Sequence, residues 1–273
     1  MQSNFKAYLG VDLKKGFVSN IYKYVVALFL FLFLSFELFF SQSQENESLI
    51  FTTTDLWFYI FQGMPVYEPS NELPFIIPLQ WMIIQILPAL LVLNYPTKDL
   101  YSYGIQEIVR LRKRCNWWIS KCIWLVLSIA AYYAIAFLCV NLVSLFFGEY
   151  SFSFNHEYFE LFYSPNADFE KTSFVMYILP LSTTITISFF QMLFSIIIKP
   201  IYSFFIVVCY DIISAFYCFP LLIGDKTMLL RLSLFESGKV DFEITIIINF
   251  ILFIFTYFIG SLYFSKMDFI KKG

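Results

Sequence analysis

Six stretches of this chain are apolar over roughly the 20 residues that a helix needs to cross a lipid bilayer. They cover about 21–40, 75–94, 119–147, 173–198, 201–223 and 243–264. The connections between them are short, so 1–273 is expected to form one all-α integral membrane domain with nothing left over for a soluble one. Composition agrees: 59% of residues are hydrophobic and 14% charged, where an ordinary soluble domain carries about a quarter charged. The first run is long, and only SQSQENES follows it, with no small-residue cleavage pattern, so it reads as a retained span.

Ahead of that run, Phe5, Leu9, Leu13, Phe17 and Ile21 recur every four residues, with Lys6, Asp12, Lys14 and Lys15 off the stripe. This spacing predicts an amphipathic helix over 3–20, lying in the membrane interface. Pro74, Pro78 and Pro88 predict kinks around the second span, which neighbouring helices can tolerate by satisfying the freed carbonyls.

Charge sets the expected orientation. Fourteen of the 18 Lys and Arg residues fall before the first span or at its start (Lys23), within 95–121, at Lys199, or after the sixth span. The alternate connections are acidic, with Glu45, Glu47, Asp55, Glu68 and Glu72 in one and Glu149, Glu157, Glu160, Asp168 and Glu170 in the next. Basic residues stay on the cytoplasmic side, so both termini are expected inside.

The inner connection after the second span predicts a helix over 97–114, capped by Thr97. Tyr101, Gly104, Ile105, Ile108 and Leu111 fall on one face, and Asp99, Gln106, Glu107, Arg110, Lys113 and Arg114 on another. Such a helix suits a lipid surface with anionic headgroups or a docked cytosolic partner.

Catalytic and metal chemistry find little support. The one histidine, His156, has no neighbouring ligand, and no Cys pair has zinc-site spacing. The five cysteines are not expected to form disulfides. Gly224-Asp225-Lys226-Thr227 lacks the first glycine of a phosphate-cradling loop and falls on the outer side. Among polar residues within the spans, Asp211 and Glu37, with Asn141 and Gln191, are candidates for lining a substrate path. Their ordinary roles are interhelical hydrogen bonding and, for Glu37, reaching the headgroup layer. No nucleic-acid-binding pattern is present.

The segment Tyr95–Trp124, with Y-P-T-K-D-L, then the basic R-L-R-K-R, then W-W and S-K before a long third span, resembles the first cytoplasmic loop of ABC exporter permeases of low-GC Gram-positive type. In that family the membrane subunit and the ATPase are separate chains. The resemblance implies six transmembrane helices, a coupling helix at about 97–114, and ATPase-coupling roles for Tyr101, Gly104, Ile105, Glu107, Ile108, Arg110 and Arg112. It further implies a cytosolic ABC ATPase dimer that binds ATP and Mg, a second permease subunit, and the bacterial plasma membrane as location. The cargo would be a peptide or another amphipathic molecule. Two other readings have weaker motivation. An immunity protein could sequester a cationic peptide at the acidic outer loops without pumping it. An intramembrane enzyme would need paired acids or a nucleophile with its base, which the spans do not supply.

Overall fold

The computed structural model describes residues 2–42, 51–67, 77–101, 114–153, 169–219, 221–233 and 240–266. Within them the chain is helical, with no strand and only two isolated bridges, Thr52 with Glu149 and Leu232 with Val240. Helix α1 spans Gln2–Gln42, α2 Thr53–Phe61, α3 Leu79–Val92, α4 Tyr95–Asp99, α5 Arg114–Phe147, α6 Phe169–Ile197, α7 Pro200–Phe216 and α8 Phe242–Lys266. Two 3-10 turns, Ile223–Thr227 and Leu229–Arg231, lie between α7 and α8.

Five helical segments are long and apolar enough to cross a membrane: Leu9–Phe40, Leu79–Asp99, Cys115–Phe147, Phe174–Ile197 and Phe242–Lys266. This is consistent with a multi-pass membrane protein. The expected fifth span, 201–223, is shorter than the sequence suggests. Helix α7 is apolar but ends at Phe216, 17 residues long, and 201–223 is not one continuous helix. Leu221 to Arg231 instead fold back against the bundle.

Contacts at the two ends of the bundle alternate along the chain. Tyr95 bonds to Asp12, and Trp117 stacks on Phe264 with ring centroids 4.6 Å apart, so the start of α1, α4, the start of α5 and the end of α8 share one end. At the other end Gly148 and Glu149 donate or pack onto Ser144 and Phe51, and Leu230 donates to the Gln62 carbonyl. The described parts of the two terminal helices therefore finish on the same side. We call it the terminal end, and the opposite one the distal end.

Helix α1 runs unbroken through the boundary at 20 and 21, where an interfacial helix was expected to give way to a span. No proline interrupts it, and its apolar positions continue from one segment into the next. Its buried side is Asp12, Gly16, Asn20, Lys23, Ala27, Phe31 and Leu34. The expected stripe of Phe5, Leu9, Leu13 and Phe17 is half-buried, and Ile21 is 62% exposed. In a bilayer, lipid is as apolar as a leucine side chain, so small and polar residues drive helix contact while the large apolar ones face outward.

Helix α2 occupies part of what the sequence suggests is a plain outer loop. Its run is too short to cross a membrane, yet eight of its nine residues are buried. A capping box starts it: the Asp55 N–H donates to the Thr52 hydroxyl at 3.2 Å, and the Thr52 N–H donates to the Asp55 carboxylate at 2.8 Å. Trp57 and Phe61 then pack with Tyr133 of α5, with Phe61 stacked on Tyr133 at 5.6 Å. The Trp57 indole donates to the Met176 carbonyl of α6 at 3.0 Å. The chain leaves α2 through Gly63, whose φ of +67° favours a residue without Cβ.

Candidate functional site

At the terminal end, three separate parts of the sequence converge on one buried ammonium. Lys121, fully buried on α5, ion-pairs with Asp12 of α1 and, at 2.7 Å, with Asp99 of α4. Its nitrogen lies 4.6 Å from the Tyr95 ring centroid and 5.4 Å from that of Trp117, so two carboxylates and two aromatic faces surround it. The carboxylates have further donors. Tyr95 donates to Asp12 Oδ1 at 2.6 Å, Ser120 to Asp12 Oδ2 at 2.5 Å, and Trp117 Nε1 to Asp99 Oδ2 at 3.0 Å. Close packing presses these elements together: a Cβ on Gly16 would lie 2.1 Å from the Trp124 indole nitrogen and 2.9 Å from the Tyr95 ring.

Tyr95, Asp99, Trp117, Ser120 and Lys121 belong to the Y-P-T-K-D and W-W-I-S-K sequences that flank 102–113. They bond to one another and to Asp12, which fixes both ends of that segment relative to α1. Of the expected coupling residues, Tyr101 is 55% exposed. Gly104, Ile105, Glu107, Ile108, Arg110 and Arg112 lie outside the described residues, as does most of the predicted helix over 97–114. Thr97 is not a cap: it sits inside α4, and its hydroxyl donates back to the Asn94 carbonyl at 3.1 Å.

Midway through the bundle, polar side chains join helices. Thr184 of α6 bonds to Tyr133 of α5 at 2.7 Å and donates to Gln85 of α3 at 3.3 Å. Asn249 of α8 donates to Thr183 at 2.8 Å, and Gln191 donates to the Ala89 carbonyl at 2.7 Å. These are the interhelical roles that the sequence suggests for such residues. Asn141 differs, donating to Phe137 one turn back on its own helix at 2.6 Å. Glu37 is exposed.

The distal end holds the arrangement least visible in the sequence. Ile223–Thr227 and Leu229–Arg231 are buried between α6, α7, α8 and the chain after α2, although they read as an exposed loop. Arg231 is fully enclosed. It donates to the Ser214 and Ala215 carbonyls at 2.8 and 2.6 Å and to the Met64 carbonyl at 3.2 Å. A guanidinium thus serves the carbonyl end of α7, where partial negative charge collects. Trp81 Nε1 donates to Thr227 at 2.8 Å, and Thr227 donates to the Gly224 carbonyl at 2.8 Å. Gly224 allows the turn to approach Ser214 and the Asp211 carboxylate, since a Cβ there would meet Ser214 at 2.8 Å.

Two carboxylates sit in this end. Asp211 is buried, and its Oδ1 has no hydrogen-bond partner among the described residues. Asp225 is fully buried, with Lys226 Nζ at 3.7 Å, and burial raises its carboxyl to about 6 against the opposing pull of Lys226 and Arg231. The path candidates Asp211, Glu37, Asn141 and Gln191 each have different surroundings and form no common cluster. No group of three or more His, Cys, Asp or Glu suited to a metal occurs among the described residues. The five cysteines are free.

No curated protein and no solved structure matches the chain. A family model described as "Protein of unknown function (DUF2705)" matches residues 24–270, which takes in every helix above except the first half of α1, and the chain belongs to that family.

Proposed function

We propose that this chain is the transmembrane subunit of an ATP-driven exporter of the ABC class, with six crossings and both termini in the cytosol. Residues 97–114 form its coupling helix. The observation that carries this reading is the Lys121 network. A lever that passes force from a cytosolic motor must be rigidly joined at both ends, and the residues flanking 102–113 are locked to Asp12 by ion pairs and hydrogen bonds. The basic residues grouped at the same end support a cytosolic position. Helix α7 supplies the fifth of the six crossings, ending against Arg231. ATP and Mg belong to the partner ATPase, and a second permease subunit completes the assembly in a bacterial plasma membrane.

On this reading the cargo is an amphipathic molecule such as a cationic peptide, and Asp211 is the buried acid placed to meet it. The test replaces Ile105 and Ile108 with Asp and co-purifies the variant from its native membrane. Loss of a bound ATPase, or of cargo-stimulated ATP hydrolysis, is the expected result. Wild-type ATPase binding and transport in that variant would remove the coupling assignment, and peptide protection without any ATPase would favour sequestration.

A further inference from the structure

A cleft of about 400 Å³ opens at the terminal end between α1 and α4, against the Lys121 network, with Tyr95 and Asp99 common to both. Lys15, Ser19 and Lys23 line it from successive turns of α1, and Asn94 and Lys98 face them from α4. Three ammonium groups therefore border one space. Lys23 and Lys98 are close enough for their charges to repel each other. Asp99, which ion-pairs with Lys121, also lines the cleft. Lys23 is only 9% exposed and donates to the Leu90 carbonyl, which holds its charge at the cleft wall instead of letting it extend into water.

The outer rim is apolar. Val18 and Tyr22 line the cleft and are each 61% exposed, with Ile21 and Val25 beside them, and the long apolar run of α1 begins immediately after. Positive charge meeting a tyrosine at the start of an apolar helix face is the chemistry of the headgroup layer. We propose that the cleft binds the phosphodiester of an anionic glycerophospholipid, with Lys15, Lys23 and Lys98 around the phosphate and the acyl chains lying along Val18, Tyr22 and Val25. A free phosphate would share the lysines but gain nothing from that apolar rim.

The experiment uses the full chain purified in a neutral detergent, with phosphatidylglycerol, phosphatidylcholine or inorganic phosphate added separately. Retained lipid is read by native mass spectrometry and stabilisation by the melting temperature. Phosphatidylglycerol should bind and raise the melting temperature, while phosphatidylcholine and phosphate should not. Lys15→Gln with Lys98→Gln, both exposed positions, should weaken phosphatidylglycerol binding by about tenfold or more, at about 1 kcal/mol per surface lysine. Lys6→Gln with Lys14→Gln removes the same charge away from the cleft and should change binding little. Should the double variant melt abnormally without lipid, Lys15→Gln alone decides the matter by the same reading. Equal losses in the two double variants would reduce the effect to general surface charge and overturn the site. Equal binding of both lipids would do the same, and phosphate acting as well as phosphatidylglycerol would overturn the lipid assignment.

Discussion

Lys121 holds Asp99 at 2.7 Å from a position with no solvent exposure, and so ties the early turns of α5 to the end of α4. The paired residues flank 102–113 in the sequence. Between charges removed from water, the attraction repays desolvation only when the remaining oxygens are also satisfied, as Tyr95, Ser120 and Trp117 satisfy them here.

Removing Lys121 leaves two buried carboxylates facing each other. Lys121→Met is expected to destabilise the protein by about 3 kcal/mol or more, since a broken buried pair strands its partner. Adding Asp12→Asn should restore part of the loss. A double-mutant cycle on melting in detergent measures the coupling, and additive effects would mean that the two charges do not interact.

Packing around the network predicts opposite outcomes at two glycines of α1. A Cβ at Gly16 meets the buried Trp124 ring, so Gly16→Ala should cost about 1–3 kcal/mol through overpacking. Gly10 has nothing within 4 Å of such a Cβ. Gly10→Ala should be neutral or stabilising by up to about 1 kcal/mol, through helix propensity. Thermal unfolding of the two variants side by side tests the close approach of α1 to α5.

At the distal end, pH should report on Asp225. Its carboxyl lies at about 6 when folded against an ordinary 3.8, so the folded chain holds this proton more tightly than the unfolded one. The group therefore costs little below pH 4, and its cost grows as pH rises from about 4 to 6 and stays near its full value above that. Asp225→Asn should stabilise by up to about 3 kcal/mol at pH 7.5 and by little at pH 4. An equal change at both pH values would show that charge is not the cause. Lys226, Cys218 and Arg231 face the same carboxyl and are left unchanged in the comparison.

Two exposed cysteines report on sidedness. Cys115 begins α5 at the terminal end, and Cys218 follows α7 at the distal end. In sealed, right-side-out vesicles a membrane-impermeant maleimide should label Cys218 from outside and reach Cys115 only after the membrane is opened, each in a single-cysteine background. The reverse pattern would invert the protein and with it the proposed coupling helix.

Much of this architecture is legible in the sequence. Apolar runs of crossing length locate four long helices within a few residues, and the end but not the start of α1, because helix length and hydropathy answer directly to bilayer thickness. The Tyr95 and Trp117 sequences stand out before any contact is known, but their partner Asp12 does not. In a short amphipathic stretch, a lone Asp reads as solvent-facing. Periodicity finds an apolar stripe on α1 without saying whether lipid or protein covers it, and here Asn20 and Lys23 go inward while Ile21 goes out. The segment Gly224–Arg231 is missed for another reason. Its small and charged residues look like loop, and nothing local reveals that the carbonyls of Ser214 and Ala215 await a guanidinium.

That guanidinium also changes where α7 is allowed to stop. Its 17 residues rise about 25 Å, several ångströms less than the roughly 30 Å thickness of a hydrocarbon layer. On the proposed six-crossing reading, a helix left so short would strand its last peptide oxygens in oil. On that reading Arg231 supplies from inside the protein what interfacial water supplies elsewhere, the polar boundary at this corner is carried inward by a side chain, and the lipid surface need not bend to meet it.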